Sequence, residues 1–352
     1  VSAPDAGRED GAGGGAGGDA RPGREAMIGQ GGHAPDGRRG RRRGRRGEAA
    51  MVPDAEFRSY YGRPILNPPV WKAADIAGYF FLGGLAGAGS VLAAGAHLTG
   101  RRAAARALKI SSLAAITGST AALIHDLGRP ARFANMLRVM KPTSPMSMGS
   151  WLLAAYGPAA GAAAVLEVTG LLPRLGHAAT AGAAALGPGV AAYTAALAAD
   201  TAVPAWHEGY RELPFVFVGS AAAAASGMAL VAAPARETAP MRTAAVCGTA
   251  LEIGATKLME RRLGVIAETY RQGTAGRLMR AAQALTVAGA AGGALLGGRS
   301  RTAAVLGGAA LLAGSACTRF GVFHAGLRSA EDPKYTVVPQ RERIRERAAG
   351  AA

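Results

Sequence analysis

The sequence predicts an all-α protein, a polytopic membrane bundle of eight transmembrane helices, and three observations carry that expectation. Of 352 residues 49% are hydrophobic and only 18% are charged, against about 25% charged in a typical soluble domain. Mean hydropathy stays positive at +0.14 although the first fifty residues are almost all polar or glycine, so the apolar content is concentrated after them. From Ile76 onward, apolar stretches recur between short polar gaps, each close to the ~20 residues that cross ~30 Å of hydrocarbon as a helix. A soluble bundle of eight all-apolar helices would leave too few polar faces for water.

Residues 1–50 form a Gly/Ala/Asp/Arg-rich tail with no apolar period, which reads as disordered. Seven of the nine positions from Arg38 to Arg46 are arginine. The cluster reads as a polybasic segment near anionic headgroups or as sequence upstream of a true start at Met51. A nucleic-acid arm is the weakest reading, and no nucleic-acid partner is expected. No apolar run with a small-residue cleavage site is present there, so no signal peptide is expected. Residues 51–328 make the membrane domain and 329–352 a C-terminal tail.

The eight expected spans are Ile76–Leu98, Leu108–Ile124, Met148–Leu166, Ala178–Ala199, Pro214–Ala233, Thr243–Leu258, Ala281–Gly298 and Thr302–Phe323. Alanine and glycine dominate where leucine is usual. Small residues let helix backbones approach closely, and GxxxG-like spacing occurs at Gly83–Gly87 and Gly293–Gly297. Thr243–Leu258 is the weakest span, being short and holding Glu252. Only Pro188 and Glu252 are expected to interrupt the interior.

An even number of spans puts both termini on one side, here called face A, with the gaps after spans two, four and six. Face A carries nearly everything chemically unusual, including Tyr60–Pro64, His125–Trp151, Asp200–Pro214 and Ser329–Tyr335. Long, motif-dense loops on one face read as a docking or substrate-entry surface. His125 with Asp126 can pass a proton at the membrane boundary, because histidine titrates near neutral pH. Asp200, Trp206, His207 and Glu208 supply a second His–acid pair at another span end. The plainer reading of these residues is helix capping, an interfacial Trp206 and a Glu208–Arg211 pair. Glu252 is either a proton-relay acid or a neutral, hydrogen-bonded group.

Two cysteines exclude a disulfide framework, and no CxxC or c-type haem motif is present. None of the six histidines falls in the middle of a span, so neither a central haem nor a metal is expected. Phosphate-binding loops, HExxH and GxSxG in a supporting context are also absent.

Several segments together resemble the NrfD family, the membrane subunit of polysulfide reductase-like complexes. They are Tyr61–Pro64, Tyr79–Gly84, Asp126–Pro130 with Lys141–Ser147, Asp200–Pro214 and Asp332–Val337. The similarity spans about residues 55–340. It implies a haem-free, eight-helix subunit that exchanges electrons between a quinone (menaquinone or ubiquinone) and an iron–sulfur, ferredoxin-like partner serving a molybdopterin-type catalytic subunit. On this reading His125, Asp126, Arg129, Asp200, His207, Glu208 and Tyr79 bind quinone or transfer its protons, and Glu252 is a candidate relay. Arg132, Lys141, Trp206, Arg211 and Glu212 are expected to dock the partner. A secondary transporter and a purely structural anchor are the competing classes; the first predicts a midplane polar site in matched halves. Lys and Arg are more numerous on face A, so both termini are expected in the cytoplasm and the protein in the inner membrane. The better-known family members dock their partner on the outer side, so this expectation departs from the family.

Overall fold

The structure, a computed structural model, describes residues 65–129 and 131–350. The tail, Tyr60–Pro64 and Pro130 lie outside the described residues. Eight long helices dominate: α1 (Ala73–Leu98), α2 (Arg102–Asp126), α4 (Pro145–Thr169), α5 (Pro173–Ala199), α7 (Leu213–Ala232), α8 (Ala239–Arg262), α10 (Gly273–Leu295) and α11 (Arg301–Glu331). Short helices α3 (Ala131–Met136), α6 (Pro204–His207) and α9 (Glu268–Arg271) punctuate the face-A connections, and α12 (Lys334–Gly350) closes the described chain. No strand occurs among the described residues.

Each expected span coincides with one of the eight long helices, but six of the eight are long and apolar enough to cross a membrane: α1, α2, α4, α5, α7 and α11. The other two, α8 and α10, carry too many polar and charged residues, among them Glu252, Lys257, Glu260, Arg277 and Arg280. Helices also outrun the apolar stretches. The gap expected at Thr99–Ala107 is mostly the first turns of α2, and α11 continues eight residues past Phe323. Hydropathy marks only the apolar part of a helix, whereas the helix itself ends where capping ends it. Ser144 and Ser300 do this at the starts of α4 and α11, their hydroxyls accepting from the Ser147 and Ala303 amides. At the far end of α4, Gly170 (φ 69°) takes the left-handed cap conformation that favours glycine.

Consecutive long helices pack as antiparallel hairpins, α1 on α2, α4 on α5, α7 on α8 and α10 on α11; α1 also packs on α5, and α7 on α11. Glycine sits at the crossings. A Cβ at Gly87 would collide with the Gly187 carbonyl, one at Gly219 with the Gly248 carbonyl, and one at Gly289 with the Gly307 carbonyl. Backbones in contact gain dispersion energy that lipid cannot match, which is what replaces the hydrophobic effect within a bilayer. Gly83 and Gly293 of the expected motifs lie at crossings as well, against Ser119 and Leu230. Gly297 lies beyond α10 and meets only the Gly293 backbone one turn before it.

The interior is less apolar than expected. Besides Glu252 it holds Lys109 and Arg319, both buried. Lys109, on the side of the bundle opposite face A (here called face B), stands two turns inside α2 and donates to Glu167 of α4 at 2.7 Å. Arg319 lies within the eighth apolar stretch, and its single charge is hidden there by alanine, glycine and phenylalanine neighbours.

Candidate functional site

The face-A ends of the helices are knitted together by the short elements between them. Trp71, just before α1, stacks on Trp206 of α6 with ring centroids 5.5 Å apart. The next residue, Lys72, donates its amide to the Asp126 carboxylate at the end of α2, at 3.4 Å. Asp126 and α6, distant in sequence, are therefore each held to the two residues that precede α1. Trp206 donates its indole N–H to the Val322 carbonyl at 2.8 Å, and the Ser329 hydroxyl accepts the Ala205 amide at 3.1 Å. Tyr270 donates to the Ala205 carbonyl at 2.8 Å, fastening α9 beneath α6.

Neither His–acid pair forms between sequence neighbours. His125 contacts Asp75 on α1, Nδ1 to Oδ2 2.8 Å, with the imidazole side chain 67% exposed. Successive residues near a helix end point in different directions, so Asp126 turns instead to Lys72. His207 Nδ1 lies 3.1 Å from the Ala199 carbonyl. Glu208 pairs with Arg343 of α12 at 2.7 Å rather than with Arg211, which donates to the Tyr210 hydroxyl at 2.8 Å. Asp200 is exposed at the end of α5, and Arg129, Arg132 and Lys141 are exposed along the connection from α2 to α4. Arg132 donates to the Leu127 carbonyl at 2.9 Å.

Two residues expected on the docking surface are inside. Trp206 is fully buried, its ring packed against Trp71 and Phe323. Glu212 is buried and holds Arg262 of α8 through two hydrogen bonds, 2.7 and 2.5 Å. Arg262 also donates to the Glu208 carbonyl. These contacts tie α7 to α8 and leave nothing of either residue for a partner. Tyr79 is also buried, beneath face A in α1, beside Phe80 and facing Tyr193 of α5 without hydrogen-bond geometry.

A separate polar centre lies deeper, between α7, α8 and α11. Glu252 is 4% exposed; its Oε1 accepts from the Thr318 hydroxyl at 2.5 Å, and its Oε2 has no partner. The neighbouring Arg319 is fully buried, donating from one terminal nitrogen to the Phe217 carbonyl at 2.7 Å with its guanidinium 3.8 Å from the Phe217 ring centre. Its Nε and other terminal nitrogen are unpartnered. Counting helical rise, the pair stands roughly 15–18 Å inside the face-A helix ends. Sequence reasoning missed Arg319; an arginine inside an apolar stretch is the signal that finds it. Glu252 also lines a cavity of about 220 Å³ that reaches Glu260 and Arg271.

Such a structure defines a class: a helical membrane protein with exposed acids and histidines at its face-A helix ends and an incompletely paired buried acid and base beneath them. The family model described as polysulphide reductase, NrfD, matches residues 65–253, more than half of the chain. The chain therefore belongs to the NrfD family, whose members are membrane subunits of multi-subunit, quinone-linked oxidoreductases. No curated protein matches it.

Proposed function

We propose that the chain is the quinone-interacting membrane subunit of a multi-subunit oxidoreductase, passing electrons between a menaquinone or ubiquinone pool and an iron–sulfur, ferredoxin-like subunit. That partner serves a molybdopterin-type catalytic subunit. The observation carrying this reading, beside family membership, is the junction at face A where Trp71–Trp206 and Lys72–Asp126 join the ends of α1, α2 and α6. It brings the His125–Asp75 contact and the segment with Asp200 and His207 onto one end of an apolar bundle. There His125 exchanges a proton with Asp75 or solvent, and Arg129, Arg132, Lys141 and Arg211 offer exposed charge to a partner. Trp206 and Glu212 shape this surface from below.

A secondary transporter is less well supported. It calls for matched halves, but the buried Lys109 of the first half sits near face B in a closed pair with Glu167, whereas the open Glu252 and Arg319 of the second half lie mid-bundle. A structural anchor has no use for unpartnered buried ionisable atoms.

The test is purification of the intact complex. An iron–sulfur protein and a molybdopterin-type subunit co-purify, quinone is bound, and no haem absorbance belongs to this chain. A stoichiometric b-type haem band in the isolated subunit, or a complex without any iron–sulfur protein, overturns the reading. Charge distribution supports a cytoplasmic face A in the inner membrane. A cytoplasm-active reporter fused after Ala352 then works while an export-dependent one stays silent, and the reverse pattern puts face A outside.

A further inference from the structure

We propose that the face-B ends of α1, α2, α4 and α5 form a seat for an anionic phospholipid, with Arg102, Arg106 and Arg174 taking its phosphate and the leucines beside them its acyl chains. The inference needs only that the chain spans a membrane, and it is independent of the quinone-linked reading.

Four helix ends converge there. The His97 ring, in the last turn of α1, meets that of His177, near the start of α5, with centroids 4.8 Å apart. Lys109 of α2 reaches Glu167 of α4. Glu167 in turn stands within Coulombic reach of His97 and Arg106, and His97 within reach of Arg102. Arg174 precedes His177 by three residues on α5, a spacing that puts both on one side of the helix.

Two observations make this end a site. First, its acids are already used: Lys109 takes Glu167 at 2.7 Å, and Glu237 accepts the Ala104 amide in the first turn of α2 at 2.9 Å. The side chains of Arg102, Arg106 and Arg174 are exposed and, among the described residues, have no hydrogen-bond or ion-pair partner. Arg102 and Arg106 lie about one helical turn apart, so like charges adjoin without compensation. A phosphate removes that repulsion and accepts from planar guanidinium forks in the bidentate manner they favour. Secondly, the cations stand beside exposed leucines. Leu98 is 85% exposed, and Leu171, Leu172 and Leu175 around the α4–α5 turn are 63%, 64% and 54% exposed. Leu172 takes a left-handed backbone (φ 45°), so this turn presents two successive leucines outward at a cost in strain.

Charge and apolar surface together select the occupant. A free inorganic anion uses the arginines and gains nothing from the leucines. A zwitterionic lipid covers the leucines but brings its own cation to the arginines. An anionic phospholipid satisfies both, as basic clusters at helix ends do with lipid headgroups elsewhere.

The test uses the full chain in neutral detergent and a phosphatidylglycerol with a photoreactive diazirine near the top of one acyl chain. On illumination the label is expected at Leu98 and at Leu171–Leu175. The double variant Arg102→Gln with Arg106→Gln lowers labelling there at least about tenfold, the equivalent of one lost hydrogen bond to a charged group. Its helical circular dichroism is unchanged, because both side chains are exposed and unpartnered. Arg299→Gln, which removes a face-B charge between α10 and α11, leaves labelling as it was. Unchanged labelling in the double variant overturns the proposal. So does an equal loss in Arg299→Gln, which makes binding a property of the overall charge of the face. Equal labelling by a phosphatidylcholine analogue, or displacement of the label by excess inorganic phosphate, overturns it as well.

Discussion

Two of the buried charge sites in this bundle, one in each half, are built differently. Near face B, Lys109 and Glu167 meet at 2.7 Å, with the lysine side chain 3% exposed and the glutamate 22%. In the second half, Glu252 and Arg319 are more deeply buried yet make no direct salt bridge; each keeps polar atoms without a partner. A closed pair joins two helices and has no remaining capacity. An open pair carries the desolvation penalty of both groups without full Coulombic return, and persists where the spare valences are used by something else. The first site joins two helices, whereas the second keeps hydrogen-bonding capacity that the protein itself does not use.

The contrast can be broken by mutation. The largest effect is expected from Glu167→Leu, which strands Lys109 in a nearly dry site and costs about 3–5 kcal/mol of stability. Thermal unfolding in detergent measures it, and the double change Lys109→Met with Glu167→Leu restores most of the loss. Arg319→Met should behave in the opposite sense. Replacing a poorly paired buried cation by an apolar chain of similar reach is neutral or mildly stabilising, while quinone-linked turnover falls by about 10²-fold through loss of charge beside Glu252. If Arg319→Met unfolds the protein and Glu167→Leu does not, the assignment of roles is inverted.

Asp126→Asn and His207→Ala probe face A and should each lower quinone-linked turnover by about 10²-fold, the lower end of what proton-transfer groups contribute. Membrane insertion stays normal, because neither side chain is buried. Normal turnover in both variants moves the chemistry away from face A altogether.

The smallest effect concerns α12. Lys334 hydrogen-bonds Glu268 at 2.9 Å and holds that carboxyl below its usual range, and the same contact raises the lysine. The carboxylate's contribution to docking α12 is present above the ordinary glutamate pKa of about 4.3 and is lost as pH falls through the lowered value. The lysine's contribution is present below about 10.4 and is lost as pH rises through the raised value. Both groups are exposed and screened by salt, so the effect is modest. Protease sensitivity of α12 should rise in strong acid and strong base and stay flat between, and Lys334→Ala should remove both limbs.

Much of the fold was legible in the sequence. Eight apolar stretches became eight long helices because alternation of apolar run and polar gap is a local signal, and parity alone put Asp126, Asp200 and Asp332 on one face. Span number was harder. Hydropathy finds α8 and α10 weak, because Glu252, Lys257, Glu260, Arg277 and Arg280 fall within them. Pairings were mostly illegible: His125 finds Asp75 fifty residues away, and Arg319 finds Phe217 at a separation of 102. Such contacts depend on how helices rotate about their axes, which no local spacing encodes. Trp206 was misread for the same reason. Its position at a span end suggests an interfacial belt, but α6 folds inward and its ring is fully enclosed.

The dependence of α8 and α10 on their neighbours has a consequence for biogenesis. Both are too polar to qualify as spans alone, and both are framed by α7 and α11. The acid of α8 receives its hydrogen bond from Thr318, a residue translated 66 positions later. A nascent chain stopped after Leu295 would therefore hold two helices with little reason to remain in hydrocarbon. Insertion of the second half is expected to finish only when α11 leaves the ribosome, so the last long helix to be made locks the two before it in place.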